Sequence, residues 1–253
     1  IMARVALHDP GNAHAVPYMW GTTGIGFNEA MVAEALPDAP TDSWSLLFDP
    51  AVISKLADCG VTLLDAPTEV FSAALVYLGK DANSEDLDDL KAAEALLTSI
   101  RPYIRYIHSS QQINDLANGE ICVAMGWSGD IMIAADRAAE AENGIEISYS
   151  IPAEGTIIWF DMLAIPNDAP HPGNAHLFID YLLEPEVIAA VSNYVYYANP
   201  NSASVEFVEA EILEDPGIYP TPEVKAKLFP DLSHTPAFTR AQTRAWTRFK
   251  TGR

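Results

Sequence analysis

Short apolar stretches alternate with amphipathic helical stretches along this chain, and the alternation limits the folds it can adopt. Residues 61–64, 104–107 and 121–126 are apolar and typical of buried strands. Residues 68–78 and 84–100 lie between these strands and carry apolar side chains at helical spacing. Strands separated by helices predict an α/β fold.

The rest of the sequence predicts one bend between strands and further helices and strands. The glycine-rich run at residues 21–26 has the wrong order for a dinucleotide-binding loop, and we predict a tight bend between strands there. Further helices are predicted over 28–36, 50–57, 111–117, 128–141, 176–183, 185–194 and 239–249, and further strands over 145–151 and 156–165.

The charge balance narrows the classes of partner. The 253 residues include 14 Lys and Arg against 35 Asp and Glu, which gives a net charge of -21. Such an acidic chain is poorly suited to nucleic-acid phosphates or to anionic membranes, and its field favours cationic partners. No apolar run approaches the roughly 18 residues of a membrane span. The first residues contain no signal-peptide pattern, so we expect a mature chain, a cytosolic chain or a fragment.

The two cysteines, Cys59 and Cys122, both lie in apolar, strand-like surroundings. Two buried thiols are one interpretation of this setting. A single disulfide, formed in an oxidising compartment, is the other. The pattern around the two residues leaves both interpretations open.

Two tryptophans are each followed closely by a carboxylate. Trp127 precedes Asp130, and Trp159 precedes Asp161. An aromatic face beside an anion can hold an organic cation, because the ring attracts the ammonium and the carboxylate accepts its N–H groups. The alternative is a pair of core tryptophans with capping or surface aspartates. The presence of two such pairs favours a cation site.

The usual catalytic and metal-binding motifs are missing from the sequence. It contains no HExxH, CxxC, Walker or GxSxG motif, and no two histidines are four residues apart, so we expect no zinc site. Tyr196 and Tyr197 are adjacent phenols, and three roles are open to them. They can bind ferric iron as phenolates, form the wall of an apolar pocket, or pack in the core. No residue is marked as a nucleophile.

Several stretches resemble the bacterial periplasmic polyamine-binding proteins, the putrescine and spermidine receptors of ABC importers. The resemblance is greatest to the putrescine-receptor branch. It implies an α/β, two-lobed periplasmic binding protein fold of type II, truncated in the first lobe because family members have further residues upstream. The matching stretches are 16–28, 64–71, 108–111, 113–119, 126–130, 143–161, 216–220 and 243–247.

The resemblance also implies a division of the chain into four parts. Residues 1–19 would end the first lobe and form the hinge, and residues 20–158 would form the second lobe. Residues 159–215 would return to the first lobe and would expose apolar surface unless something covers them. Residues 216–253 would pack on the second lobe.

Carried over by position, the resemblance predicts the ligand contacts. Two carboxylates, Glu69 and Asp130, would hold one end of a polyamine, and Asp161 would pair with the amine nearer the first lobe. The other contacts would be Trp127 and Trp159 around the methylenes, Tyr197 closing the aromatic box, and Ser109 as a polar wall residue. The same resemblance places a disulfide between Cys59 and Cys122.

These implications describe a binding protein and not an enzyme. It would capture a polyamine in the periplasm and deliver it to the permease subunits of an ABC importer, with no cofactor, no nucleic acid and no membrane-embedded segment. The broad face of Trp159 favours spermidine over putrescine. The alternatives are a ferric-iron protein using Tyr196 and Tyr197, a periplasmic enzyme on a related scaffold, and a sensor whose bound form docks on a receptor.

Overall fold

The computed structural model describes residues 1–252 as a mixed α/β chain. The α/β class predicted from the alternation is confirmed. The strands are β1 (Ala15–Asn28), β2 (Val61–Leu63), β3 (Ile104–Ile107), β4 (Val123–Trp127), β5 (Ile147–Ser150) and β6 (Ile158–Ala164).

Helices of 4 to 16 residues connect and cover the strands. They are α1 (Met2–Val5), α2 (Glu29–Ala35), α3 (Ser45–Phe48), α4 (Pro50–Leu56), α5 (Pro67–Tyr77), α6 (Leu87–Ile100), α7 (Gln111–Ala117), α8 (Ser128–Glu140), α9 (Pro172–Leu182), α10 (Pro185–Val195), α11 (Ala210–Glu214), α12 (Pro222–Lys225) and α13 (Pro236–Thr251). Two short 3-10 helices span Arg101–Tyr103 and Ser202–Phe207.

Helix starts depart from the sequence prediction for local reasons. Helix α6 begins at Leu87 and not at residue 84, because the Asp86 side chain accepts a hydrogen bond from the Asp88 N–H and caps it there. Helices α9 and α13 begin earlier than predicted because a proline occupies the first turn of each. Proline suits that position, since its missing N–H has no helical acceptor there.

Strand β1 is shared by two groups of strands. Its first half pairs antiparallel with β6, from Ala15 opposite Ala164 to Thr22 opposite Ile158. Its second half, from Thr23 onward, pairs antiparallel with β4 and β5. Strand β2 then pairs in parallel with both β3 and β4. The strand order is β3-β2-β4-β1-β5, with β6 on the first half of β1.

The predicted bend at residues 21–26 is wrong, because these residues lie inside β1. The glycines serve close packing across the strand. A Cβ on Gly21 would lie 2.5 Å from the ring of Trp159, and a Cβ on Gly26 would lie 2.5 Å from the Ile131 side chain. Glycine inside a strand therefore marks a place where another side chain approaches the backbone.

The largest core lies between the parallel strands and the helices around them. Helix α13 closes this core with buried residues that include Phe238, Trp246 and Phe249. The Trp246 indole N–H donates to Asp65 at 3.1 Å, and the Lys250 ammonium lies 2.7 Å from the same carboxylate. The last helix is thus held on the fold both by apolar contact and by polar contact.

Cys59 and Cys122 form a disulfide, as the resemblance predicted, and their Cα atoms are 5.4 Å apart. The bond joins the turn after α4 to the residue that precedes β4. It closes a loop with a sequence separation of 63 residues. Both sulfur atoms lie beside the main core.

Residues 159–215 expose apolar side chains, as the resemblance implied. No residue of α9 is buried, and Leu177 and Phe178 on this helix are 68% and 60% exposed. Tyr194 at the end of α10 is 82% exposed. None of the helices within residues 1–252 combines the length and the apolar character needed to cross a bilayer.

Replacing Cys59 and Cys122 together by alanine is expected to lower the free energy of unfolding by about 2–4 kcal/mol, because the disulfide restricts the unfolded chain. Urea unfolding followed by circular dichroism measures this change. Wild-type protein unfolded with a reducing agent is the matched control and should behave like the double variant. An unchanged midpoint in both would contradict the stabilising role of the bond.

Candidate functional site

A cavity of about 360 Å³ opens beside the point where β1 changes partners. The lining side chains are aromatic or acidic, and none is a lysine or an arginine. They are Glu69, Trp127, Trp159, Phe160, Asp161 and Tyr197. The structure thus brings together five of the seven ligand contacts predicted from the sequence, although they are spread over more than a hundred residues of chain.

The secondary structure explains how two of these side chains come to face one cavity. Trp159 and Asp161 are two residues apart on β6, and alternate residues of a strand share a face. Trp127 is the last residue of β4, next to β1. Strand ends and strand faces therefore supply much of the lining.

Two carboxylates lie in the first turns of helices. Glu69 is in the first turn of α5, and Asp130 is in the first turn of α8. The N-terminal end of a helix carries partial positive charge, which favours an anion there. The fold thus offers each carboxylate some compensation for its partial removal from water.

Glu69 is held in place by two partners. The Trp127 indole N–H donates to its two carboxylate oxygens at 3.1 and 3.0 Å, and the Thr23 hydroxyl donates to it as well. Burial raises the pKa of Glu69 above its ordinary value, and these hydrogen bonds oppose the rise. A cation in the cavity would favour the ionised form of Glu69.

Asp130 lies directly behind the aromatic lining. Its carboxylate accepts a hydrogen bond of 2.9 Å from the Tyr197 hydroxyl, and burial raises the pKa of Asp130. Gly129 makes this contact possible, because a Cβ there would lie 2.7 Å from the Tyr197 ring. Only glycine allows the ring to rest against the start of α8.

Trp159 and Tyr197 form a corner of the cavity. Their ring centroids are 5.0 Å apart and their planes meet at 78°, which is an edge-to-face arrangement. The Trp159 ring lies over Gly21 of β1, where a side chain would collide with it. Two aromatic faces at this angle enclose space for an alkyl chain.

Asp161 lies at the open side of the cavity. It is exposed, and no hydrogen bond from within residues 1–252 reaches its carboxylate. Partial loss of water around it raises the pKa of Asp161. This carboxylate is therefore available to a ligand.

Two residues differ from the arrangement that the sequence suggested. Ser109 does not line the cavity, and its hydroxyl accepts a hydrogen bond of 3.0 Å from the Asp65 N–H. Phe160 lines the cavity, although the sequence analysis gave it no role. In a strand, this position points to the opposite face from Trp159 and Asp161, so no local pattern marked Phe160 as a lining residue.

Tyr196 and Tyr197 do not converge. Tyr197 faces the cavity described above, whereas Tyr196 lines a different cavity with Asp136 and Glu211. The left-handed backbone of Tyr196, with φ 57°, accompanies this divergence. Burial raises the pKa of both phenols, which disfavours phenolate ligands. Within residues 1–252 no group of three or more His, Cys, Asp or Glu side chains is placed to hold a metal ion.

Comparison with known proteins identifies the class of protein to which this fold belongs. Residues 6–221 match the family described as bacterial extracellular solute-binding protein. The chain belongs to this family.

The chain is also similar to individual members. It is 52% identical over 255 residues to the putrescine-binding periplasmic protein PotF of Escherichia coli (strain K12), a match that covers 100% of this chain and 69% of the relative. It is 51% identical over 257 residues, with the same coverage, to the putrescine-binding periplasmic protein SpuD of Pseudomonas aeruginosa (strain UCBPP-PA14). The resemblance to periplasmic polyamine-binding proteins is thereby confirmed.

A solved structure shows the same fold. A putative spermidine/putrescine ABC transporter protein from Listeria monocytogenes superimposes with a TM-score of 0.82 at 31% identity, over 96% of this chain and 70% of that one. The predicted periplasmic binding protein fold is confirmed. The chain spans about 70% of the length of the proteins that it matches.

The raised pKa of Glu69 predicts a pH-dependent effect on stability. A carboxyl group whose pKa is raised by folding stabilises the fold below its ordinary value of 4.5, and this contribution is lost as the pH rises through the folded-state value. The Glu69→Gln variant is therefore expected to gain unfolding free energy relative to wild type as the pH rises from about 4 to 7.

Urea unfolding of the ligand-free protein across this pH range measures the difference. Glu140→Gln is the matched control, because Glu140 is exposed at the end of α8. A difference between Glu69→Gln and wild type that stays constant with pH would contradict the assignment.

Proposed function

We propose that this protein captures a polyamine in the periplasm and delivers it to an ABC importer. The observation that carries the proposal is the cavity in which Glu69 and Asp161 flank aromatic walls, with Asp130 directly behind Tyr197. Relatives at 52% and 51% identity are named putrescine-binding periplasmic proteins, which supports this ligand class and location.

The chemistry of the cavity matches a linear polyamine. One ammonium would lie against Glu69 and Asp130, and a second would pair with Asp161. The methylenes between them would rest on Trp127 and Trp159, whose faces attract both the alkyl chain and the adjacent ammonium. Cation binding also lets the partly buried carboxylates ionise at lower cost. The spacing of the carboxylates would thus select the spacing of the amines.

Strand β1 supplies the mechanical link that delivery requires. It runs from β6 into the sheet with β4 and β5, so ligand held by both β6 and β4 would tie the two sides together. We propose that residues 1–19 and 159–215 belong to one lobe, and that residues 20–158 with 216–253 belong to the other. Binding would favour the closed arrangement of these lobes, which permease subunits then recognise.

Binding, and not catalysis, is the activity that we propose. The relatives that match across the chain are named as binding proteins. Ferric iron is disfavoured as the ligand, because Tyr196 and Tyr197 line different cavities. A sensor role would use the same ligand site and the same closure.

Calorimetric titration with putrescine, spermidine and glutamate tests the ligand class directly. We expect micromolar or tighter binding of the two amines and no heat from glutamate. The carboxylates that line the cavity would attract an ammonium group and repel an anion. Circular dichroism confirms that the sample is folded. Absence of heat from a folded sample with either amine would overturn the proposal.

Neutralising a ligand carboxylate is expected to weaken amine binding. Asp161→Asn and Asp130→Asn should each raise the Kd for putrescine by more than roughly tenfold, the scale for removing one partner of a buried charge pair. Asp168→Asn is the matched control, because Asp168 is exposed and does not line the cavity. Unchanged affinity in both test variants would show that these two residues do not contact the amine.

The width of the ring at position 159 is expected to influence the choice of amine. Trp159→Phe should lower the ratio of spermidine affinity to putrescine affinity, because a smaller ring covers less of the longer alkyl chain. Calorimetry of one protein sample with both amines measures the ratio. An error in the concentration of active protein affects both affinities alike and cancels in the ratio. A ratio that stays the same or rises would contradict this specificity role.

A further inference from the structure

Two adjacent threonines, Thr22 and Thr23, lie at the point where β1 changes partners. Thr22 is opposite Ile158 of β6, and Thr23 is opposite Trp127 of β4. Both threonines are buried. Because buried polar groups in folded proteins are nearly always hydrogen-bonded, the partners of these two residues indicate what the pair does.

Hydrogen bonds from β5 and from the residues just before β6 hold the backbone of this pair. The Tyr149 hydroxyl donates to the Thr22 carbonyl at 2.9 Å, and the Thr156 hydroxyl donates to the Thr23 carbonyl at 2.6 Å. The Thr23 N–H donates to the Ile157 carbonyl at 3.2 Å. The backbone of Thr23 is therefore fixed by partners far away in the sequence.

The glycine that follows the pair keeps β5 close to it. A Cβ on Gly24 would lie 2.6 Å from the Tyr149 hydroxyl oxygen and 2.5 Å from the Ser150 carbonyl oxygen. A side chain at this position would therefore push β5 away and break the hydrogen bond from Tyr149 to Thr22. The glycine-rich run thus protects the hydrogen bonding of the two threonines.

The Thr23 side chain is directed at Glu69. Its hydroxyl donates a hydrogen bond to the Glu69 carboxylate, and the Trp127 indole donates to the same carboxylate from the paired strand β4. Two donors on adjacent strands therefore fix the orientation of this carboxylate at the start of α5. A side chain that is already ordered loses less conformational entropy when a ligand binds.

We propose that Thr23 is a positioning residue for the amine: its hydroxyl holds the Glu69 carboxylate in the orientation that meets the ammonium. The inference rests on the proposed function, in which Glu69 is an ammonium partner. Thr23 is not among the side chains that line the cavity. It acts through Glu69, so loss of its hydroxyl should weaken amine binding only when the carboxylate of Glu69 is present.

The charges around Glu69 make this hydrogen bond measurable through pH. Burial raises the pKa of Glu69, the hydrogen bonds from Thr23 and Trp127 oppose the rise, and the negative charge of Asp231 adds to it. Loss of the Thr23 donor therefore moves the pKa of Glu69 further upward. The titratable side chains that face Glu69 are Tyr149 from β5, Asp161 from β6, Tyr197 from the segment after α10, and Asp231 from the segment before α13.

Calorimetric titration with putrescine from about pH 5 to pH 8 tests the proposal on Thr23→Val, which removes the hydroxyl and keeps the shape. We expect the Kd to rise by roughly tenfold at pH 5, the scale for a hydrogen bond to a charged group, and by less at pH 8. A higher pKa leaves less of Glu69 ionised at the acidic end of this range. A Kd equal to that of wild type, or a loss that is the same at every pH, would overturn the proposal.

Thr62→Val is the matched control for this substitution. Thr62 is buried on β2, and its hydroxyl has no hydrogen-bond partner within residues 1–252, so the same atoms change without the loss of a hydrogen bond. Its putrescine Kd should stay within about twofold of wild type at every pH, and so should that of Thr23→Ser, which keeps the hydroxyl. A loss in either control as large as that in Thr23→Val would contradict the role of the Thr23 hydroxyl.

A double variant separates positioning from a general loss of structure. When Glu69→Gln is the starting protein, adding Thr23→Val should change the putrescine Kd by at most about threefold and equally at every pH, because the carboxylate on which Thr23 acts is gone. A loss as large as that in the wild-type background would overturn the proposal. Circular dichroism checks the fold of each variant. If Thr23→Val does not fold, Thr23→Ala and Thr23→Ser carry the same comparison, because they differ only in the hydroxyl.

The proposed function and this inference fail in different ways. If the wild-type protein binds neither putrescine nor spermidine, both fall. If the wild-type protein binds putrescine and Thr23→Val has the same Kd as Thr62→Val at every pH, only the inference falls.

Discussion

The hydrogen bonding of one strand, β1, connects every part of the site. Its first half pairs with β6 and its second half pairs with β4 and β5. Trp159 on β6 and Trp127 on β4 face the cavity only because both strands pair with β1. Gly21 lets the Trp159 ring lie over this strand. The geometry of the cavity therefore depends on a strand that carries none of the lining side chains.

Partial burial of carboxylates is the second constraint on the site. Glu69 and Asp130 lie in the first turns of α5 and α8, and each accepts hydrogen bonds from side chains around the cavity. These contacts orient the carboxylates but do not cancel the cost of burial, because the pKa of both groups remains raised. On the proposed function, a cationic ligand would supply the missing compensation and would couple the stability of the fold to occupancy of the site.

Trp159 and Phe160 form an apolar wall of the cavity. On the proposed function, Glu69 and Asp161 flank an apolar path, and the positions of the charges along a chain-like ligand would decide how well it binds. On the proposed function, the rings between the carboxylates would contact the methylenes, and the breadth of the Trp159 ring would favour the longer amine.

The sequence by itself determined the α/β class, most helices, the two tryptophan–carboxylate pairs and, through resemblance, the family and the disulfide. These features follow from local periodicity and short motifs. The tertiary structure alone decided that residues 21–26 continue a strand, that Ser109 does not line the cavity, and that Tyr196 and Tyr197 separate. Each of those depends on contacts between residues far apart in the chain, such as Gly21 with Trp159, which no local pattern encodes.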